Sequence, residues 1–151
     1  MAGRKREFRL PYAGIDRYGD WTLLYGDHGD FSVIFAITNS VIRYGGDPNA
    51  FTEYHTLLLN LVKVIGEGHY LQKLDVFSRQ RYQPLPADTY LQRHYQQHFA
   101  GRAYTGITTY LVITRQVRRG TFYVFDPKAL DDFAALAAKA EDLLRSGGLS
   151  P

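Results

Sequence analysis

Two Asp-Pro steps, Asp47-Pro48 and Asp126-Pro127, constrain the fold of this chain more than any other feature. Aspartate accepts hydrogen bonds from the first unpaired helical N–H groups, and proline has no donor to lose at the first helical position. Each step therefore predicts a helix start. After the first, Phe51, Tyr54, Leu58, Leu61 and Ile65 recur every three or four residues as one apolar stripe, which Gly66 and Gly68 end. After the second, Leu130, Phe133, Leu136, Ala137, Ala140 and Leu144 make an amphipathic helix that Ser146-Gly147-Gly148 stops. A third helix is expected over Asp88–Ala100, with Leu91, Tyr95 and either His98 or Phe99 on a narrow stripe.

Between these helices the sequence turns to β-formers. Trp21–Tyr25 and Phe31–Ile37 flank Gly26-Asp27-His28-Gly29-Asp30, whose glycines suit a hairpin turn. In the second run Phe31, Val33, Phe35 and Ile37 share one face by period two. Ser32, Ile34 and Ala36 lie opposite and are less polar than a wet face, so both faces are expected to be partly covered. His69–Tyr82 alternates without a clean apolar side and reads as a strand that Pro84 and Pro86 break. Thr108–Thr114 is β-branched and aromatic throughout, and Thr121–Phe125 is a further short strand candidate. The order β-β-α-β-α-β-(β)-α predicts an α+β sandwich: a mixed or antiparallel sheet of four to five strands with three helices over it.

At 151 residues the chain suits one domain, expected over residues 10–148 behind a flexible basic tail at residues 1–9. The formal charge of +3 belongs to that tail, where Arg4, Lys5, Arg6 and Arg9 face only Glu7. Setting these aside leaves 14 basic and 14 acidic side chains among the 18 and 15 of the whole. Such a tail suits contact with acidic lipid or nucleic acid, or simple solvation. The longest apolar stretch, Phe133–Ala138, is far short of the roughly 20 residues of a membrane helix. The N-terminus has no apolar signal core, so a cytoplasmic location is expected. With no cysteine, disulfides, thiol nucleophiles and cysteine zinc sites are excluded.

No glycine is followed by lysine, so the chain has no GxxxxGK[ST] phosphate loop, and its glycine pairs do not extend to GxGxxG. His94 and His98 have the i,i+4 spacing of two metal ligands on one helix face. The general-base Glu of HExxH is missing and no third ligand is evident, which leaves a metal-dependent hydrolase as the weakest alternative. Asp27, His28 and Asp30 suit turn chemistry better than a metal. The acidic pairs Glu67/Asp75 and Asp131/Asp132 have no cleft to tie them, and no serine nucleophile elbow is present. Arg79, Arg81, Arg115, Arg118 and Arg119, with Tyr82 and Tyr110 nearby, would suit single-stranded nucleic acid if one sheet face gathered them. Arg115–Arg119 also reads as a solvated turn.

Several phrases, in order, resemble a known family. They are LPYAGID at Leu10–Asp16, LYGDHGDFSVIF at Leu24–Phe35, LNLVKVIGEG at Leu59–Gly68, QKLDVFSRQRY at Gln72–Tyr82, HFAGRAY at His98–Tyr104, and TYLVITRQVRRGTFYVF at Thr109–Phe125. The most specific are the K-x-D-x-F stretch at Lys73–Phe77 and the HFxGRxY stretch. Together they resemble the N-terminal domain of the TraG family, the conjugation ATPases of conjugative transposons, which are similar to the assembly ATPases of type IV secretion systems. The resemblance spans Leu10 to Gly148. It implies that this chain is the N-terminal part of a longer protein whose ATP and Mg²⁺ bind in a downstream engine. No ATP-contacting residue carries over to this chain, so it is expected to be non-catalytic and to hold no cofactor itself. The implied role is interaction: docking on channel subunits or the inner-membrane surface during DNA transfer, peripheral to that membrane. The partner-binding candidates are His98, Phe99, Arg102 and Tyr104, polar and aromatic residues expected in a helix-to-strand loop. The competing reading is that Gly101 caps the helix and Arg102 pairs with a carboxylate. The alternative of a nucleic-acid interface rests on Arg79, Arg81, Arg115 and Arg118.

Overall fold

The computed structural model describes residues 10, 12–39, 46–117 and 126–149. The sequence expectations for residues 1–9, for a strand at Thr121–Phe125, and for Arg118 and Arg119 lie outside these residues. The elements are β1 (Tyr12–Tyr18), β2 (Trp21–Gly26), β3 (Phe31–Ile37), α1 (Pro48–Ile65), β4 (His69–Arg81), α2 (Tyr90–Phe99), β5 (Ala103–Arg115) and α3 (Pro127–Ser146). The α+β class holds, with a five-stranded, wholly antiparallel sheet in the order β1-β2-β3-β5-β4.

Both Asp-Pro steps behave as their chemistry requires. The Asp47 carboxylate accepts from the Asn49 N–H at 2.9 Å, and Asp126 accepts from Lys128 at 3.1 Å. Helix α1 ends at Gly66, and α3 ends at Gly147, after which the Leu149 N–H donates back to the Leu144 carbonyl at 2.9 Å. That last bond folds Leu149 into the core.

The core lies between one sheet face and the pair α1–α3. Phe31, Val33, Phe35 and Ile37 of β3 join Leu111 and Ile113 of β5, Leu23 of β2, Leu61 and Ile65 of α1, and Leu130, Phe133, Ala137, Ala140 and Leu144 of α3. The small alanines of α3 allow its backbone a close approach. The ring of Phe133 reaches Phe31 at 6.1 Å and stacks on His69 at 6.2 Å between centroids. The Tyr18 hydroxyl donates to the Asp131 carboxylate, tying β1 to α3, and this bond holds the Tyr18 phenol above its usual pKa.

The second face of the sheet is partly covered, as expected: Leu24, Tyr110, Val112 and Thr114 are half-buried there, while Ile34 and Ala36 of β3 and Tyr70, Leu74 and Val76 of β4 are exposed. Ser32 on that face is buried and shares a hydrogen bond with Thr114 at 2.8 Å. Two expectations need correction. Phe51 heads the stripe of α1 but is exposed, because the first turns of α1 overhang the core. Strand β1 is an element that the sequence pattern does not predict. Gly14 and Asp16 are poor strand formers, and six of its seven residues are exposed, so nothing in the sequence alternates. It forms because β2 offers an edge: Tyr18 pairs with Trp21 across a turn in which Gly19 takes φ +58°.

Candidate functional site: a helix-tipped arm

Register explains the most unusual feature of the molecule. Strands β4 and β5 pair over their full 13 residues, from His69 opposite Arg115 to Arg81 opposite Ala103. Strand β3 covers only Thr109–Arg115 of β5. The rest of the β4–β5 ladder therefore runs past the sheet by roughly 20 Å, at about 3.3 Å per residue. Helix α2 sits at its tip.

The tip is held by polar bonds rather than by a core. The Tyr82 N–H donates to the Arg102 carbonyl at 2.9 Å, and the Gly101 N–H donates to the Tyr82 carbonyl at 3.0 Å. Gln96 of α2 accepts through its side-chain oxygen from the Tyr82 hydroxyl (2.6 Å) and from the Leu85 N–H (2.9 Å). These bonds lay the helix back on the proline segment that follows β4. Thr89 and Gln92 form a reciprocal capping box at the helix start. Gly101 turns the chain into β5 with φ +71°. No residue of α2 is buried, so Leu91 and Tyr95, expected to lie on a packing stripe, are exposed instead.

Three of the four partner-binding candidates, His98, Phe99 and Arg102, gather here. Phe99 is the half-buried centre, with Tyr95 at 4.7 Å, His98 at 4.9 Å and Tyr82 at 6.2 Å between ring centroids. The Arg102 guanidinium lies 5.3 Å from the Phe99 ring centroid and 3.5 Å from His98 Nδ1. His98 and Phe99 belong to the last turn of α2, Arg102 to the turn, and Tyr104 to β5, so only part of the set is loop. Tyr104 stands apart on the strand, where its hydroxyl donates to Gln80 at 2.6 Å. Gly106 makes room for this: a Cβ there would meet the Gln80 amide at about 2.5 Å.

The described members of the basic set do not assemble. Arg79 and Arg81 lie opposite Thr105 and Ala103 on the arm, while Arg115 lies opposite His69 at the far end of the same ladder. About ten residues of strand, or roughly 33 Å, separate the two ends. Tyr110 points to the other face, level with Ala36 and Leu74. Of the metal candidates, His94 packs on Tyr90 at 4.2 Å, and both His94 and His98 are exposed. Among the described residues, no group of three His, Asp or Glu stands together as a metal site.

What sequence reasoning missed is the extent of the exposed apolar surface on this arm. Phe77, Leu85, Tyr90, Leu91, Tyr95, Tyr104 and Ile107 are all exposed, Leu91 by 78%. Between Val76 and Thr108 the arm carries four arginines (Arg79, Arg81, Arg93 and Arg102) against the single acid Asp88. Aromatic and arginine side chains on a projecting element, beside exposed leucines, suit a protein-binding surface. An open groove of about 610 Å³ between α1 and the end of α3 is lined by Thr52, Glu53, Thr56 and Asn60, with no second carboxylate to work with Glu53. Among the described residues no helix is long and apolar enough to cross a membrane.

Because no residue of α2 is fully buried, its caps carry much of its stability. Thr89→Ala is expected to cost about 1 kcal/mol, and the loss stays local. Amide exchange within Tyr90–Phe99 should accelerate about fivefold while the global unfolding midpoint hardly moves. Exchange followed residue by residue checks this; an equal fall in global stability would contradict it.

No protein-family profile and no curated protein matches this sequence.

Proposed function

We propose that this chain is a non-catalytic interaction domain of a conjugative-transfer ATPase, and that it docks through its arm on channel or membrane-associated subunits of a type IV secretion-like apparatus. The observation that carries the docking role is the exposed apolar and arginine-rich surface of the β4–α2–β5 arm, which the core of the domain does not use. Support for the conjugative setting comes from the TraG-like phrases, two of which, Lys73–Phe77 and His98–Tyr104, fall on that arm or at its root. ATP binding and hydrolysis belong to a downstream engine in this reading, and the domain works at the cytoplasmic face of the inner membrane.

Affinity capture of the transfer apparatus on the purified domain tests the proposal. Retention of a channel or membrane-associated subunit, without nucleotide, is the expected result. Failure to retain any of them would sink it. A nucleic-acid role predicts instead that single-stranded DNA binds with a salt slope of about −0.7 per phosphate contact. The separation of Arg79 and Arg81 from Arg115 argues against a continuous phosphate track.

A further inference from the structure

The outer edge of β4 is a second, independent surface, and its pattern singles out one occupant. Edge strands of natural sheets are normally short, bulged, interrupted by proline or covered, because unpaired N–H and C=O groups recruit other strands. Strand β4 is 13 residues long, and its register with β5 runs unbroken from end to end. The ladder is closed at its two ends by Tyr82 N–H to Arg102 C=O and by Gln116 N–H to Gly68 C=O, each 2.9 Å. Bonded residues alternate along an antiparallel strand, so the even-numbered residues of β4 bond to β5. Leu71, Lys73, Asp75, Phe77 and Arg79 therefore direct their N–H and C=O groups outward. Among the described residues nothing accepts that row.

We infer that this edge pairs with the same edge of a second copy of the chain, antiparallel about a two-fold axis at Leu74, making one continuous sheet across the dimer. The inference goes beyond the proposed docking role and does not rest on it. A two-fold axis normal to the sheet keeps both helix layers on one side, so residues meet only partners of their own face. With the axis at Leu74, Lys73 meets Asp75 of the second copy, and Asp75 meets its Lys73. Leu71 meets Phe77, and Leu74 meets Leu74. His69 falls opposite Arg79, which adds nothing.

The neighbouring registers are penalised by charge. Moving the axis one residue toward the N-terminus sets Lys73 against Lys73, and one residue toward the C-terminus sets Asp75 against Asp75. Like charges directly opposite destabilise a strand pair, and opposite charges favour it. The Lys73–Asp75 pair within each chain supplies both signs to the edge. Leu74 and Phe77, exposed by 53% and 67%, would bury apolar surface at this seam.

The test is the oligomeric state of the full chain, by analytical ultracentrifugation over a concentration series. The wild type is expected to form a dimer. Lys73→Glu opposes two carboxylates twice across the axis and should raise the dimer dissociation constant about tenfold or more. The swap Lys73→Glu with Asp75→Lys should restore the dimer. Leu74→Asp, at an exposed position that folding tolerates, should also give monomers with an unchanged circular dichroism spectrum. A wild type that stays monomeric at every concentration overturns the proposal, including the case in which an extended strand of another protein occupies the edge. So does a dimer indifferent to both Lys73→Glu and Leu74→Asp, or a folded double swap that stays monomeric.

Discussion

Phe133→Ala is expected to destabilise the domain by about 3–5 kcal/mol, the usual cost of deleting a buried aromatic ring. Phe133 is 1% exposed and stands where α3, β3 and β4 meet, against Phe31 and His69. The sheet backbone on one side and the Ala137 turn of α3 on the other cannot collapse into the vacated volume, so both the transfer and the cavity contributions are lost. A domain of this size has only about 5–15 kcal/mol in total. Its melting temperature should fall by roughly 10–15 °C, and the urea midpoint should fall without a change in slope. Phe51→Ala is the control. It deletes the same ring from the overhanging end of α1, where Phe51 is 60% exposed, and should cost about 0.5 kcal/mol or less. Equal losses for the two variants would mean that the core is not centred on α3.

A smaller effect is expected at Asp75. Its carboxylate accepts from Lys73 and from the Thr109 hydroxyl at 2.7 Å, and these two bonds hold its pKa below the ordinary carboxylate value. The folded value is the depressed one, so the contribution is fully present above the unfolded-state pKa. It is lost as pH falls through the folded value. Stability should therefore decline in the acid range below the ordinary carboxylate pKa. Asp75→Asn should flatten that part of the profile by lowering the neutral plateau slightly while leaving the acid end unchanged, the loss being small because the pair is partly exposed and screened. Thermal melts at a series of acid pH values check the difference.

Legibility in the sequence followed how each element is stabilised. The inward residues of β3 and the stripe of α3 were readable because one buried face imposes its period on the residues. The caps at Asp47 and Asp126 were readable because capping is local chemistry. Strand β4 looked ambiguous for a physical reason that the sheet supplies: its even-numbered face is mostly open, and its odd-numbered face is partly covered only at His69, Leu71 and Asp75. Alternation therefore carries little information there. β1 left no pattern because it borrows its order from β2. The arm was invisible because its length depends on where β3 stops pairing with β5, a contact between segments about 80 residues apart in sequence. The cluster of His98, Phe99 and Arg102 was legible as a set, since all three lie within a few residues. That α2 would leave Leu91 and Tyr95 bare was not legible, because an amphipathic stripe states that something apolar covers it but not whether that cover lies in the same chain.

The bare stripe leads to the prediction with the largest functional effect. Leu85→Glu and Leu91→Glu together should abolish capture of the transfer subunits while leaving the domain folded. Leu85 and Leu91 are 65% and 78% exposed, and neither belongs to the core. Glutamate at Leu91 falls in the first turn of α2, where a negative charge suits the helix dipole, so the helix should tolerate it. The Leu85 N–H keeps its bond to Gln96, which a side-chain change does not remove. Stability should stay within about 0.5 kcal/mol of the wild type. At a docking surface, by contrast, each buried apolar anchor is worth about 2 kcal/mol or more, and a charge in its place meets a desolvated pocket. Affinity should then fall by roughly 30-fold for one anchor and further for two. Neither residue lies on β4, so the self-pairing of that strand is untouched, and a loss of capture would be assigned to the arm alone. Capture at wild-type level by the folded double variant would place the docking surface elsewhere on the domain. A separate loss on Lys73→Glu, with the arm intact, would mean that the subunits recognise the dimer rather than the tip.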